Sequence, residues 1–267
     1  MFQFTLNSRV HPMRELGPDW FVKRDDELSC TISGSKIRKY TSLLPWILKQ
    51  DEPHVSLIGG HNSNNVLGLS QLLLENGITP HAYVREAYGG ANMGLLSKLL
   101  PDDHIHVVKR DAWPPKDVPG LVIPEGAFMQ QALPGAKTLG LELQDHAFDH
   151  VFVDAGTGMQ AIGLILSGIR SHIHVLLLAD SKEDFLQKLD QFEGARAPFS
   201  LYYPSNAKSF GSKNATLQNY VADFPKKHGF FVEPIYSGKL FYEAERIGDT
   251  LSGTKCIVHS GGIFNSF

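Results

Sequence analysis

The sequence is poor in cysteine, in charge of one sign and in long apolar runs, and each shortage removes a class of protein. Cys30 and Cys256 are the only cysteines in 267 residues, too few for a disulfide scaffold and suited to a reducing compartment. No uncharged apolar run approaches the roughly 18–20 residues that span a bilayer, so no membrane partner is expected. Lys and Arg number 25 against 28 Asp and Glu, a net charge of −3, and the two signs interleave. Without a basic stripe, nucleic acid is not an expected partner. The opening residues, Met1-Phe-Gln-Phe-Thr-Leu6, have no basic n-region and no small-residue cleavage site, so a secretory leader is not expected and the cytoplasm is the expected location. What is present is ordinary folded material, 42% hydrophobic, with 25 Gly and 15 Pro. The length lies where one core begins to divide into two.

Apolar strand-like runs alternate with helix-period segments. Strands are expected at 55–58, 82–84, 105–108, 121–123, 151–153, 173–178 and 256–258. Helical spacing runs through Tyr40/Leu43/Leu44/Ile47, Val66/Leu69/Leu72/Leu73, Leu95/Leu96/Leu99, Ala161/Leu164/Ile165 and Phe185/Leu186/Leu189. Such alternation implies βαβ units, hence an α/β fold of parallel or mixed sheets flanked by helices. The stretch Asp111-Ala-Trp-Pro-Pro-Lys-Asp-Val-Pro-Gly120, rich in Pro and Gly, marks the expected crossing between two lobes.

Three segments carry candidate chemistry. Ile58-Gly-Gly-His-Asn-Ser-Asn-Asn65 lies between a strand and a helix, where glycines let backbone approach a ligand and free N–H groups suit a carboxylate or phosphate; helix capping by Ser63 is the plainer use of one such residue. Val153-Asp-Ala-Gly-Thr-Gly-Met-Gln-Ala161 repeats the arrangement as a phosphate cup. It also fits the loose dinucleotide pattern, with Asp180 as a ribose partner. Ile32-Ser-Gly-Ser-Lys-Ile-Arg-Lys39 is not a Walker A loop. Its Lys36 is instead a candidate Schiff-base amine, with Arg38 and Lys39 expected to help lower its pKa. The i, i+2 histidine pairs His104/His106 and His172/His174 lack companions for a metal set, so no metal is expected.

Taken together and in order, Val22-Lys-Arg-Asp-Asp26, Gly34-Ser-Lys-Ile-Arg-Lys39, Gly59-Gly-His-Asn-Ser-Asn64, Gly156-Thr-Gly158 with Ala161-Ile-Gly-Leu164, Glu233-Pro-Ile-Tyr-Ser-Gly-Lys239 and His259-Ser-Gly-Gly262 resemble the pyridoxal-phosphate enzymes of the 1-aminocyclopropane-1-carboxylate deaminase and D-cysteine desulfhydrase family, of fold type II. The resemblance implies a two-lobed, tryptophan synthase β-subunit-like fold, with a large cofactor-binding domain of residues 1–40 plus 117–267 and a small domain of 41–116. It implies pyridoxal 5′-phosphate as cofactor, a small amino acid as substrate and a homodimer.

Carried across, the resemblance makes Lys36 the internal-aldimine lysine and a catalytic base, and Lys39 a phosphate contact. Ser63 holds the substrate carboxylate or moves a proton, Asn64 meets the cofactor's 3′-oxygen, and Asn65 lies at the substrate. Gly156, Thr157, Gly158, Met159 and Gln160 form the phosphate cup, and Tyr236 sits at the substrate. Ser260, with Ser237 as a second candidate, faces the pyridine nitrogen. A hydroxyl there leaves the ring nitrogen mostly unprotonated and favours elimination over transamination.

Departures direct the expected activity. The deaminase branch has Glu after the tyrosine of Tyr-x-Gly-Lys, where this chain has Ser237. Met159 and Gln160 stand where desulfhydrase-like members have Gly and Thr, and the chain ends at Phe267, short of the family's usual continuation. The expectation is a lyase catalysing α,β-elimination, D-cysteine desulfhydrase-like, releasing pyruvate, ammonia and sulfide. The alternatives are the cyclopropane deaminase, a dinucleotide-dependent oxidoreductase and a non-catalytic pyridoxal-phosphate-binding protein.

Overall fold

The structure is a computed structural model that describes residues 5–29, 34–87 and 91–262. Cys30, Ile32, Ser33 and the first residues of the chain lie outside them.

Two sheets organise the molecule. The larger has the order β1-β2-β10-β7-β8-β9, built from β1 (Val10–Pro12), β2 (Trp20–Lys23), β7 (His150–Ala155), β8 (His172–Leu177), β9 (Phe199–Tyr202) and β10 (Lys255–Val258). Only β1 runs antiparallel to its neighbour. The smaller sheet is parallel throughout, β5-β4-β3-β6, from β3 (Val55–Gly60), β4 (His81–Arg85), β5 (Ile105–Val108) and β6 (Leu121–Ile123). Its edge strand β6 lies beyond the 41–116 segment expected for the small lobe. The Pro-rich stretch before it therefore runs within the territory of this sheet.

Eight helices among the described residues cover the sheets: α1 (Lys36–Lys49), α2 (Asn64–Glu75), α3 (Ala91–Leu99), α4 (Leu133–Leu143), α5 (Met159–Ile165), α6 (Lys182–Leu189), α7 (Ala215–His228) and α8 (Ser237–Gly248). None is long and apolar enough to cross a membrane.

Strand alternation sorts the large sheet's side chains. Val151, Val153 and Ala155 join one core with Ile162, Ile165 and Phe185, while Phe152 joins the opposite core with Phe224, Leu240 and Phe241 of α7 and α8. Parallel strands buried on both faces read as unbroken apolar runs, which is why these segments stand out in the sequence. The small sheet's core takes Tyr40, Leu43 and Ile47 from α1 and Leu69, Leu72 and Leu73 from α2. Each such fully buried side chain contributes roughly 1.5–3 kcal/mol.

Several elements were not anticipated. β1, β2 and β9 are short and lie towards the edges of the large sheet. Helix α4 opens on Pro134 and carries Gly135, whose Cβ would overlap the Arg38 carbonyl oxygen. Glycines that read as helix breakers are there because α1 and α4 cross at backbone contact. Helix α7 buries only Leu217 and Phe224, too little for a visible apolar stripe.

Candidate active site

The start of α1 is clamped to the end of β10. Gly34 has φ +59°, and a Cβ there would overlap the Ser260 carbonyl oxygen. The next amide, that of Ser35, donates to that same oxygen at 3.0 Å. Only glycine permits this approach, and it sets Lys36 as the first residue of α1 at the mouth of the large sheet.

The three basic residues that follow have different surroundings. Arg38 is fully buried and ion-paired to Asp25 at 2.5 Å and to Glu142 at 2.8 Å, while Lys23 pairs with Glu142 at 2.7 Å and Ser8 donates to Asp25. The Val22–Asp26 motif is thus the ionic seat of α1. Arg38 does not lower the Lys36 pKa as expected, because its charge is matched by Asp25 and Glu142. Burial lowers it, against the pull of Asp154 and Glu233. Lys39 is 5% exposed and donates to the Gly126 carbonyl at 2.6 Å. Burial, then the neighbouring Lys36 charge, push its pKa well below the lysine range. Among the described residues no carboxylate pairs with Lys39.

The turn after β7 completes this corner. Gly158 has φ +92°, and the backbone N–H groups of Gly156, Thr157 and Gly158 find no acceptor among the described residues. Gly126, the residue that receives the Lys39 bond, presses on Thr157 so closely that a Cβ would overlap its hydroxyl. A Cβ on Gly156 would come 3.1 Å from Cε1 of Tyr236, whose ring centre lies 5.7 Å from the Lys36 amine. Lys36, Lys39, the turn and Tyr236 therefore converge. The side chains of Met159 and Gln160 do not, since Met159 is buried in the core and Gln160 donates to the Ala136 carbonyl at 2.9 Å. Only their backbone remains for a cup. Asp180, the suggested ribose partner, is ion-paired to Lys188 at 2.7 Å.

On the other side, Glu233 is fully buried and accepts the N–H groups of Ile235, Tyr236 and Ser237, each at 2.7 Å. Burial lifts its pKa to about 7, against those hydrogen bonds. Ser237 is committed to the same knot, its hydroxyl oxygen accepting the Glu233 N–H at 2.9 Å. The buried His259 bonds the Phe231 carbonyl at 2.7 Å and accepts from the Gly261 N–H, fixing the bend that presents Ser260.

The Gly59–Asn65 loop arrives next to Glu233. A Cβ on Gly262 would stand 3.7 Å from Nδ2 of Asn64 and 3.4 Å from Cγ of Glu233. Ser63 caps α2, accepting the Val66 N–H at 3.2 Å. Asn65 is a correction: it is 4% exposed and its Oδ1 accepts the Tyr40 hydroxyl at 3.1 Å, so it points into the core rather than to a substrate. Glu125 and Asp154 were missed. Glu125 lies next to Gly60 and its charge raises the Tyr236 pKa along with burial. Asp154 has a signal in the sequence, an acid ending an apolar strand just ahead of Gly156. The histidine pairs stack with ring neighbours, His81 between His54 and His104, and His174 with Phe152. Among the described residues no group of three or more His, Cys, Asp or Glu is placed to hold a metal.

No family model matches the chain. It is 24% identical to the bifunctional D-cysteine desulfhydrase/1-aminocyclopropane-1-carboxylate deaminase, mitochondrial, of Arabidopsis thaliana, over 94% of this chain and 74% of that one. It is 24% identical to a putative 1-aminocyclopropane-1-carboxylate deaminase of Thermotoga maritima, over 92% of this chain and 89% of that one. Among solved structures, one described as an ACC deaminase homologue superposes with a TM-score of 0.81 at 22% identity, covering 99% of this chain and 92% of that one. A fungal L-serine ammonia-lyase from Rhizomucor miehei superposes at 0.63 with 14% identity, over 95% of this chain and 92% of that one. The fold is that of the tryptophan synthase β-like, fold type II pyridoxal-phosphate enzymes. Within that class, the chain is over most of its length a homologue of the proteins named 1-aminocyclopropane-1-carboxylate deaminase and D-cysteine desulfhydrase, in agreement with its ordered motifs.

Proposed function

We propose that this protein is a pyridoxal-phosphate-dependent lyase that eliminates the β-substituent of a small amino acid, D-cysteine or a close analogue, releasing pyruvate, ammonia and, from D-cysteine, sulfide. The observation that carries the reading is a pair of lysines on one face of α1, the half-buried Lys36 and the buried Lys39, beside a glycine turn whose N–H groups have no acceptor among the described residues. A buried cation without a carboxylate partner and a ring of free donors fit a phosphate dianion. An amine of lowered pKa three residues earlier fits an aldehyde.

Lys36 is assigned the covalent attachment and, as a free amine, removal of the α-proton; burial lowers its pKa, against Asp154 and Glu233, and so favours the unprotonated amine a base needs. Lys39 and the backbone of Gly156–Gln160 hold the phosphate. Asn64 orients the ring at its 3′-oxygen, Ser63 receives the substrate carboxylate, and Tyr236 closes the substrate side. The bound cofactor supplies the electron sink. Elimination is favoured over opening of the cyclopropane substrate because position 237 carries a hydroxyl locked to Glu233 rather than a free carboxyl. The proposal extends to a homodimer in the cytoplasm, with the small lobe, taken as residues 41–116 and the adjoining β6, closing the Gly59–Asn65 loop over the substrate.

The test is product formation by the pyridoxal-phosphate-loaded protein. Pyruvate from D-cysteine, β-chloro-D-alanine or D-serine, with no 2-oxobutyrate from 1-aminocyclopropane-1-carboxylate, is the expected result. 2-Oxobutyrate as the main product would replace elimination by deamination. A loaded protein that turns over none of these compounds is a cofactor carrier.

A further inference from the structure

Asp154 has no role among the residues assigned so far, and it is the acid best placed to act on the cofactor. It is the fifth residue of β7, and strand alternation puts it on the face that carries Phe152 and the α7–α8 core, opposite Val153 and Ala155. There it stands at the carboxyl end of the sheet, where α/β proteins place their ligands. Its Oδ1 is buried and has no hydrogen-bond partner among the described residues. Burial raises the Asp154 pKa, and Ser260, just past the end of the neighbouring strand β10, works against that as a hydrogen-bond donor; Lys36, Glu233, Tyr236 and His259 are the titratable groups that feel its charge or act on it. A buried, incompletely satisfied carboxylate is costly to keep unless something supplies the missing donor.

We propose that Asp154, backed by Ser260, is the partner of the pyridine nitrogen and holds that nitrogen protonated. The inference rests on the pyridoxal-phosphate reading and changes one part of it. A lone serine hydroxyl can donate to an unprotonated ring nitrogen. When that hydroxyl is given to an ionised Asp154, Ser260 has only lone pairs left to offer, and the carboxylate likewise has only lone pairs. Both groups then accept, so the ring must bring the N–H. The ring brings its own N–H, since the free 3-hydroxypyridine is largely protonated at nitrogen at neutral pH, and the cation and the carboxylate form a charge-assisted hydrogen bond in a dry site. The ring here is thus a stronger electron sink than the hydroxyl at position 260 alone suggests. Burial, which raises the Asp154 pKa, is offset once the cationic ring is seated.

The probe is pyridoxine 5′-phosphate, which has the ring and phosphate but no aldehyde, so binding is read without catalysis or attachment to Lys36. The 15N shift of ring-labelled ligand, followed as pH rises, reports the state of the nitrogen in the wild-type protein. The expected result is a pyridinium shift that persists above the pH at which the free ligand loses that proton. Asp154→Asn should lose this persistence and weaken binding by about tenfold, the size of one charge-assisted hydrogen bond. The same variant should bind the analogue with CH in place of the ring nitrogen as well as wild type does. A pyridine-type shift in the wild type, or an Asp154→Asn protein whose pyridinium shift persists to the same pH as in wild type, overturns the assignment while leaving the cofactor reading intact. A wild-type protein that binds neither pyridoxine nor pyridoxal phosphate overturns both.

Discussion

Helix α1 carries two buried charged regions that contrast. On one face Arg38 meets Asp25 and Glu142, with Lys23 and Ser8 completing the set. Every charge has a partner. On the other face Lys36 and Lys39 lie one turn apart, with Lys39 bonded only to a carbonyl and Lys36 facing carboxylates whose own pKa values are raised. At 100° per residue, positions 36 and 39 share a side of the helix and 38 is turned away from 36. The balanced cluster is structural. The unbalanced one suits the anion and the carbonyl that the proposed function calls for, since buried charge persists without a partner mainly where function requires it.

The comparison can be broken most sharply at Lys36. Lys36→Ala should abolish the cofactor colour and lower elimination by roughly 10²–10⁴-fold or more, the share of a lost general base, while leaving the fold in place; circular dichroism and pyruvate release together test this. Arg38→Met should do the reverse. It strands the buried Asp25, leaves Glu142 with Lys23 alone, and should cost about 3–5 kcal/mol in urea unfolding. Gly34→Ala lies between the two regions, because its Cβ meets the Ser260 carbonyl at a positive φ. It should cost about 1–3 kcal/mol and reduce attachment at Lys36 as well.

Lys39→Gln should weaken pyridoxal phosphate by about tenfold and also change a pH slope. Burial holds both lysines below the ordinary lysine value of 10.5 in the folded protein, so the unfolded chain binds more protons. The cofactor-free protein must therefore gain stability as pH rises from the lowered values toward 10.5. Lys39→Gln should flatten that gain in unfolding curves taken from pH 7.5 upward. The smallest effect belongs to Asp180→Ala. Its pair with Lys188 is partly exposed, and the loss should stay below about 1 kcal/mol with cofactor affinity unchanged. A large drop in affinity would revive the dinucleotide reading.

What was legible in the sequence follows the same division. The central strands β3, β7, β8 and β10 announce themselves because both faces are largely buried, and the shorter β5 and β6 have the expected bounds. Lys36, the Gly156 turn and Tyr236 are legible because the chemistry restricts residue type at fixed order along the chain. Asn65 misled because an amide beside a glycine loop reads as a ligand contact, and only the fold shows Tyr40 taking it. Arg38 misled for a related reason: its partners are 13 and 104 residues away, which no local pattern encodes. Asp154 went unnoticed since its meaning depends on Ser260, brought beside it by the parallel pairing of β7 with β10.

The most direct test of the two-faced helix is to load the protein with pyridoxal phosphate, reduce with borohydride and map the pyridoxyl label by peptide mass spectrometry. The account predicts one labelled residue, Lys36, with Lys39 unmodified and reduction accompanied by loss of the yellow absorbance. A protein that takes up no label, or carries it mainly on surface lysines such as Lys226, would contradict it.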